Sequence, residues 1–265
     1  MAKIITIANQ KGGMGKTTLT VNLGTSLSRM GKRVCLIDCD SQANLTMILG
    51  HHQPSKIPIT LPNLILDLLN SELNPEESKL LQNREYLLRS LDMDFIASNK
   101  NLTGAENMLV SVLSRENVLK KIISCIKDDY DYILLDTMPS LNLITINALN
   151  AADSVIIPMQ PQYLSVKGLE LLLSTIKSIK DNLNPNLSIE GVLVMMYDNR
   201  LIFHKEIIDA IGETFNGLKV FNTRIPISIR VTETQAKAIS IFDYDPSGKI
   251  AESYEEFTKE LIGNE

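Results

Sequence analysis

Asn9-Gln10-Lys11-Gly12-Gly13-Met14-Gly15-Lys16-Thr17-Thr18 decides how this 265-residue chain is read. Before it runs Lys3-Ile4-Ile5-Thr6-Ile7-Ala8, short, apolar and β-branched, the composition of a buried strand. After it, Thr17 to Met30 carries Leu19, Leu23 and Leu27 four residues apart, the spacing of one helix face. A glycine-rich turn between strand and helix is a phosphate cradle. Glycines let the backbone approach an anion, and the free N–H groups of the first helical turn point at it. In such a loop Lys16 reaches the β- and γ-phosphates, and the Thr17 hydroxyl holds Mg²⁺.

The common form of this loop is Gly-x-x-x-x-Gly-Lys-Ser/Thr. Gln10 stands at the first glycine position, so the common form fails by one residue. What stands instead is Lys11-Gly12-Gly13-Met14-Gly15-Lys16-Thr17-Thr18, with a second lysine at the head of the loop. The turn does not need Lys11 in order to fold. A point charge on a long stem suits another phosphate.

This stretch resembles the deviant Walker A motif of the ParA/MinD family of P-loop ATPases. The resemblance implies ATP and Mg²⁺ as cofactors, with Lys11 through Thr18 as the nucleotide cradle. It implies that Lys11 is the signature lysine, which reaches across a dimer interface to the nucleotide of the partner subunit. Lys16 takes the ordinary P-loop role.

Val34-Cys35-Leu36-Ile37 reads as a second buried strand, ending in Asp38-Cys39-Asp40. Open α/β sheets bind ligands at the carboxyl ends of their strands. One of these acids could cap a helix over Leu45 to Leu49. Two acids at alternate positions, facing a phosphate loop, are better explained by metal and water. The family has Asp-x-Asp-Pro-Gln here, with Ser41 in this chain where the proline stands. The resemblance implies that Asp40 positions the attacking water and Asp38 arranges the Mg²⁺ shell. Tyr132-Ile133-Leu134-Leu135-Asp136 is a third apolar strand ending in an acid, the Walker B pattern that sets a carboxylate beside Mg²⁺. In the following Thr137-Met138-Pro139-Ser140, Met138 replaces the first of two prolines common in the family.

Further strands are expected at 94–98, 154–159, 192–196 and 219–221. Helices are expected at 102–128, broken near Ser114-Arg115, and at 166–179, 202–215 and 249–262. Residues 50–85 carry a weaker pattern, with His51-His52, Pro54, Pro58 and Pro62, and read as a variable insertion with short helices near 64–69 and 76–81. Alternating strand and helix means βαβ units, a mostly parallel twisted sheet and helices on both faces. The expected organisation is a single α/β P-loop domain over residues 1–265.

The net charge of −5 does not suggest a nucleic-acid binder. Contact with DNA would need a local basic patch, or two weak patches joined by dimerisation. The resemblance covers nearly the whole chain, including the segments 154–162 and Ile225-Pro226 through Tyr244-Asp245-Pro246, and its second half looks like the ParA/Soj partitioning branch. That branch implies Pro226 near the adenine ring, and Arg200 and Arg230 on non-specific double-stranded DNA. It implies an ATP-dependent homodimer, a ParB-type centromere-binding partner, and a cytoplasmic, nucleoid-associated protein. A related ATPase positioning another cargo is the nearest alternative.

A MinD-like membrane-surface regulator would end in a basic amphipathic helix. Here the last helix carries Glu252, Glu255, Glu256 and Glu260 against Lys259, which an anionic membrane repels. No run of about 18 apolar residues occurs, and the N-terminus enters a strand at once, without a signal-peptide pattern. Cys35, Cys39 and Cys125 read as buried reduced thiols. Cys39, between two acids, keeps open a metal-cluster or reductase reading.

Overall fold

The computed structural model describes residues 1–263, the side chain of Leu164 excepted. Strand β1 (Lys3–Ile7) passes through the glycine loop into α1 (Lys16–Arg29), and the chain returns as β2 (Val34–Cys39). Three short helices follow: α2 (Asn44–Ile48), α3 (Leu61–Asn70) and α4 (Lys79–Asn83). Next come β3 (Leu87–Ser90), β4 (Met93–Ile96), α5 (Leu102–Leu109) and α6 (Val118–Ser124). Strict alternation then resumes with β5 (Tyr132–Thr137), α7 (Leu143–Ala151), β6 (Ser154–Met159), α8 (Tyr163–Asn182), β7 (Ser188–Tyr197), α9 (Ile202–Thr214) and β8 (Val220–Pro226). The described chain closes with α10 (Ile229–Lys237), α11 (Ile241–Tyr244) and α12 (Lys249–Ile262).

The eight strands form one sheet in the order β3-β4-β2-β5-β1-β6-β7-β8. All neighbours are parallel except β3 and β4. Alternate side chains enter different cores, as the pleat requires. Ile5, Ile7, Leu36, Leu134 and Leu193 pack with Leu19, Leu23 and Leu27 of α1 and with Tyr254, Phe257 and Leu261 of α12. Cys35, Ile37, Ile133 and Leu135 pack under α3, α5, α6 and α7. Val155, Ile157 and Met159 pack under α8 and α9. Helices therefore cover both faces, as expected.

The structure departs from the sequence reading in places. The antiparallel edge strand β3 is joined to β4 through Leu91 and Asp92, both at positive φ (49° and 58°), the backbone of a type I′ hairpin turn. The sequence lacks the Asn-Gly signal that usually marks such a turn. Strand β8 extends to Pro226 rather than ending at residue 221, and α7, α10 and α11 were not expected. Within residues 50–85, Pro62 does not mark a loop: it stands in the first turn of α3, capped by reciprocal bonds between Thr60 and Asn63. The expected break at Ser114-Arg115 is present between α5 and α6.

Strand β1 lies between β5 and β6, while its next strand in sequence, β2, lies beyond β5. The chain thus builds β2 to β5 on one side of β1 and then reverses to place β6 to β8 on the other. That reversal opens a crevice at the carboxyl ends of the strands, where such sheets bind ligands.

Candidate active site

The glycine loop sits in this crevice. Gly13 (φ 75°) and Gly15 (φ 85°) adopt the left-handed conformation, and Gly15 caps α1 without any side-chain cap. The first-turn N–H groups of α1 are thus left for a ligand. A Cβ added at Gly15 would lie 3.0 Å from Met195 Cε. Gly15→Ala is expected to lose about 1–2 kcal/mol from the left-handed backbone alone. This should appear as a lower urea midpoint with an unchanged slope.

Side-chain amides sew the loop to β6. Asn9 accepts the Lys11 N–H (2.9 Å) and donates to Pro158 O (2.8 Å). Gln160 donates to Gly13 O (2.6 Å), and Lys11 Nζ donates to Gln162 Oε1 (2.8 Å).

Asp38 and Asp136 are register partners on β2 and β5, and β5 is next to β1, which leads into the loop. Asp136 is fully buried. Its Oδ1 accepts the Thr20 hydroxyl at 3.3 Å, and its Oδ2 has no hydrogen-bond partner among the described residues. Burial pushes its carboxyl well above the usual range, Asp38 adds to this, and the Thr17 hydroxyl and Lys16 oppose it. Lys16, only 7 % exposed, has its pKa lowered by burial, against the pull of Asp136 and Asp40. Asp40 Oδ1 accepts the Gln42 N–H at 2.9 Å.

Asp38 is held differently. Its oxygens accept the Thr46 hydroxyl (2.7 Å), the Thr46 N–H (2.9 Å) and the Asp40 N–H (3.1 Å). Burial still carries it up to about 6 against those donors. Asp38 thus organises the turn into α2 and sets the backbone of Asp40.

Residues 12–18, Asp40, Thr137, Pro139 and Gln235 border a cleft of about 410 Å³. Among the described residues no group of three or more His, Cys, Asp or Glu could hold a metal ion by itself. Mg²⁺ takes about six oxygens and keeps several waters. A cation here would rely on phosphate and water oxygens beside Thr17 and Asp136. The unpartnered Asp136 Oδ2 fits that use, because buried carboxylate oxygens are otherwise satisfied.

Pro226, at the end of β8 opposite Tyr197, lies outside this cleft. With Arg200, Arg224 and Ile227 it borders a neighbouring hollow of about 580 Å³. Arg200 is exposed and bidentate to Asp198 (2.9 and 2.7 Å). Arg230, on α10, is paired with Asp245. Cys39 is fully buried, and burial with Asp38 holds its thiol far above the reactive range. Cys125 is half-buried rather than buried.

The sequence reading missed Thr20, Thr46, Gln160, Gln162 and Gln235. Thr20 had a signal, being one helical turn beyond Lys16. Thr46 holds Asp38 from eight residues away, and Gln160, Gln162 and Gln235 act through partners distant in sequence.

Residues 2–189 match the AAA domain family. The chain is 40% identical over 264 residues to the sporulation initiation inhibitor protein Soj of Bacillus subtilis (strain 168), spanning 100% of both chains. It is 36% identical over 268 residues to the chromosome-partitioning ATPase Soj of Treponema pallidum (strain Nichols), spanning 100% of this chain and 99% of that one. Among solved structures it is similar to the cobyrinic acid a,c-diamide synthase of Mycobacterium smegmatis with bound ATP analog and magnesium. That similarity has a TM-score of 0.83 at 30% identity, over 99% of this chain and 95% of that one. The chain belongs to the ParA/Soj family of partitioning ATPases, deviant Walker A members of the P-loop class.

Proposed function

We propose that this ATPase is a DNA-tethered switch for plasmid or chromosome partitioning. ATP and Mg²⁺ are its cofactors. The observation that carries the reading is the division of labour between two lysines. Lys16 lines the cleft with Asp40 and feels the buried Asp136 behind it, whereas Lys11 is absent from the cleft lining and donates to Gln162. A lysine there serves a phosphate outside its own cradle. Two chains face to face would each offer Lys11 to the other's nucleotide.

Mg²⁺, when bound, neutralises charge on the β- and γ-phosphate oxygens. Thr17 and Asp136 would hold it, with Asp38 supporting that region from behind. Lys16 and Lys11 oppose the charge that develops on the γ-phosphate, and Asp40 holds the attacking water. The homodimer binds double-stranded DNA without sequence preference through Arg200, Arg230 and their copies, which makes the protein nucleoid-associated. The Arg200 side chain remains largely exposed beside Asp198, so a DNA phosphate can compete with that carboxylate for it. A ParB-type centromere-binding protein accelerates hydrolysis, the dimer parts, and DNA is released.

Helix α12 speaks against a membrane-surface role. Its Tyr254, Phe257 and Leu261 are in the core with α1, which leaves the acidic face outside. Among the described residues no helix is long and apolar enough to cross a membrane.

The test is binding to a random-sequence duplex with ATP, ADP or no nucleotide across a salt series. ATP-dependent binding is expected, with a log–log salt slope of about −0.9 per phosphate neutralised. Lys11→Ala is expected to retain nucleotide but to lose both the dimer and the duplex. No duplex binding by the wild type under any nucleotide would remove DNA from the reading.

A further inference from the structure

Helix α10 reaches the cleft through Gln235 yet is thinly anchored. Of its nine residues only Thr234 is buried, and Val231 packs partly against the core. On its outer side Arg230 pairs with Asp245, Glu233 accepts the Tyr244 hydroxyl (2.9 Å), and Lys237 lies over the Tyr244 ring (4.6 Å). On its inner side Gln235 Nε2 donates to Thr18 Oγ1 at 2.7 Å, across 217 residues of sequence.

The direction of this bond has a chemical consequence. Thr18 Oγ1 accepts from Gln235, so the hydroxyl proton is left to donate elsewhere. Thr18 is in the first turn of α1, beside the N–H groups that face the cleft. A phosphate oxygen in the cradle would take that proton. The result is a chain from amide to hydroxyl to phosphate in which each bond polarises and strengthens the next. With the cradle empty, the Gln235–Thr18 bond stands alone.

We propose that Gln235 is a positioning residue: through Thr18 it converts nucleotide occupancy into a fixed position of α10, the helix that carries Arg230. The tether needs only the phosphate cradle; its consequence for DNA rests on the reading in the preceding subsection. Any nucleotide that fills the cradle sets the tether, so ADP tests it without hydrolysis.

The experiment is amide hydrogen exchange of the full chain with and without Mg-ADP, read over residues 229–239, beside a titration of ADP affinity. In the wild type ADP should slow exchange there about 5- to 10-fold, the effect of one strengthened hydrogen bond on local opening. In Gln235→Leu the slowing should be under about 2-fold. Thr18→Ser keeps the hydroxyl and should keep the effect; Thr18→Val should lose it, with no further loss on adding Gln235→Leu. Full ADP protection in Gln235→Leu overturns the proposal. So does faster exchange on ADP in the wild type, which would mean that phosphate and Gln235 compete for Thr18. Failure of the wild type to bind ADP would appear in the titration and would sink the cradle itself. With ATP, Gln235→Leu should bind the duplex at least about 5-fold more weakly. Unchanged duplex binding would cut the link to Arg230, and a wild type that binds no DNA would fail the DNA reading while exchange still judges the tether.

Discussion

Lys16→Ala is expected to lose ATP binding by about 10²- to 10³-fold while the protein keeps its fold. The size follows from what surrounds the lysine. Lys16 is 7 % exposed and opposes Asp40 and Asp136, with Asp38 close behind on β2. Without Lys16, a triphosphate would enter against carboxylates with no fixed cation beside them. Truncating one partner of a buried charge pair at a binding site costs about 3–4 kcal/mol, which is two to three orders of magnitude in affinity. Stability should behave differently. Burial lowers the pKa of Lys16, so the folded state holds that proton less tightly than the unfolded chain does. At neutral pH the charged lysine therefore works against folding, and its removal relieves that term. Asp136, already pushed upward, can take a proton in its place. Thermal melting near the wild-type temperature, beside a failed nucleotide titration, is the expected pair of results. ATP affinity within about threefold of wild type, a difference of under 1 kcal/mol, would take Lys16 out of the cradle.

The loop was legible because its evidence is local. Strand, glycine turn and helix occur within one short stretch, and only a phosphate cradle needs all of them. The acids were legible for a related reason: Asp38, Asp40 and Asp136 each end or follow a strand, and the sheet register then sets Asp38 beside Asp136. Their separate tasks were not legible. A strand-end aspartate can cap a helix or attend a metal. Only the Thr46 hydroxyl and N–H on Asp38, and the unpartnered Oδ2 of Asp136, tell the two apart. Gln160, Gln162 and Gln235 were hidden because their partners are 147, 151 and 217 residues away.

The same division runs through the fold. Helix α7 escaped notice because it is buried almost all round, including Thr145, Asn147 and Asn150, and so shows no apolar stripe. In α10, Ile229-Arg230-Val231-Thr232 alternates like a strand. It is helical because Ser228 caps it, accepting the Arg230 N–H, and because Thr234 and Gln235 face inward together. Arg200 has its carboxylate partner two residues away at Asp198, whereas the partner of Arg230, Asp245, is 15 residues on and is brought to it by the fold. A net charge of −5 is therefore compatible with arginines held ready on local acids.

Asp40→Ala is expected to bind ATP and fail to turn it over, with hydrolysis lower by about 10²- to 10⁴-fold, the range for a positioned acid–base group. Asp40 is held from two sides. Its N–H donates to Asp38, which Thr46 holds in place, and its Oδ1 is fixed by the Gln42 N–H. Asp40 is 7 % exposed and borders the cleft together with Thr137 and Pro139. A carboxylate restrained in this way orients a water without reorganising at the moment of reaction. Its loss should leave ATP affinity equal or higher, because one negative charge near the phosphates is gone. The ATP-bound form should then accumulate, and with it the dimer and the DNA complex. Asp40→Asn separates charge from scaffold: it retains an oxygen for the Gln42 N–H and should lose hydrolysis to a similar extent. Single-turnover phosphate release, beside ATP affinity, reads both variants. Wild-type release from Asp40→Ala would mean that another group places the water, and the loop from Thr137 to Ser140 would be the next place to look.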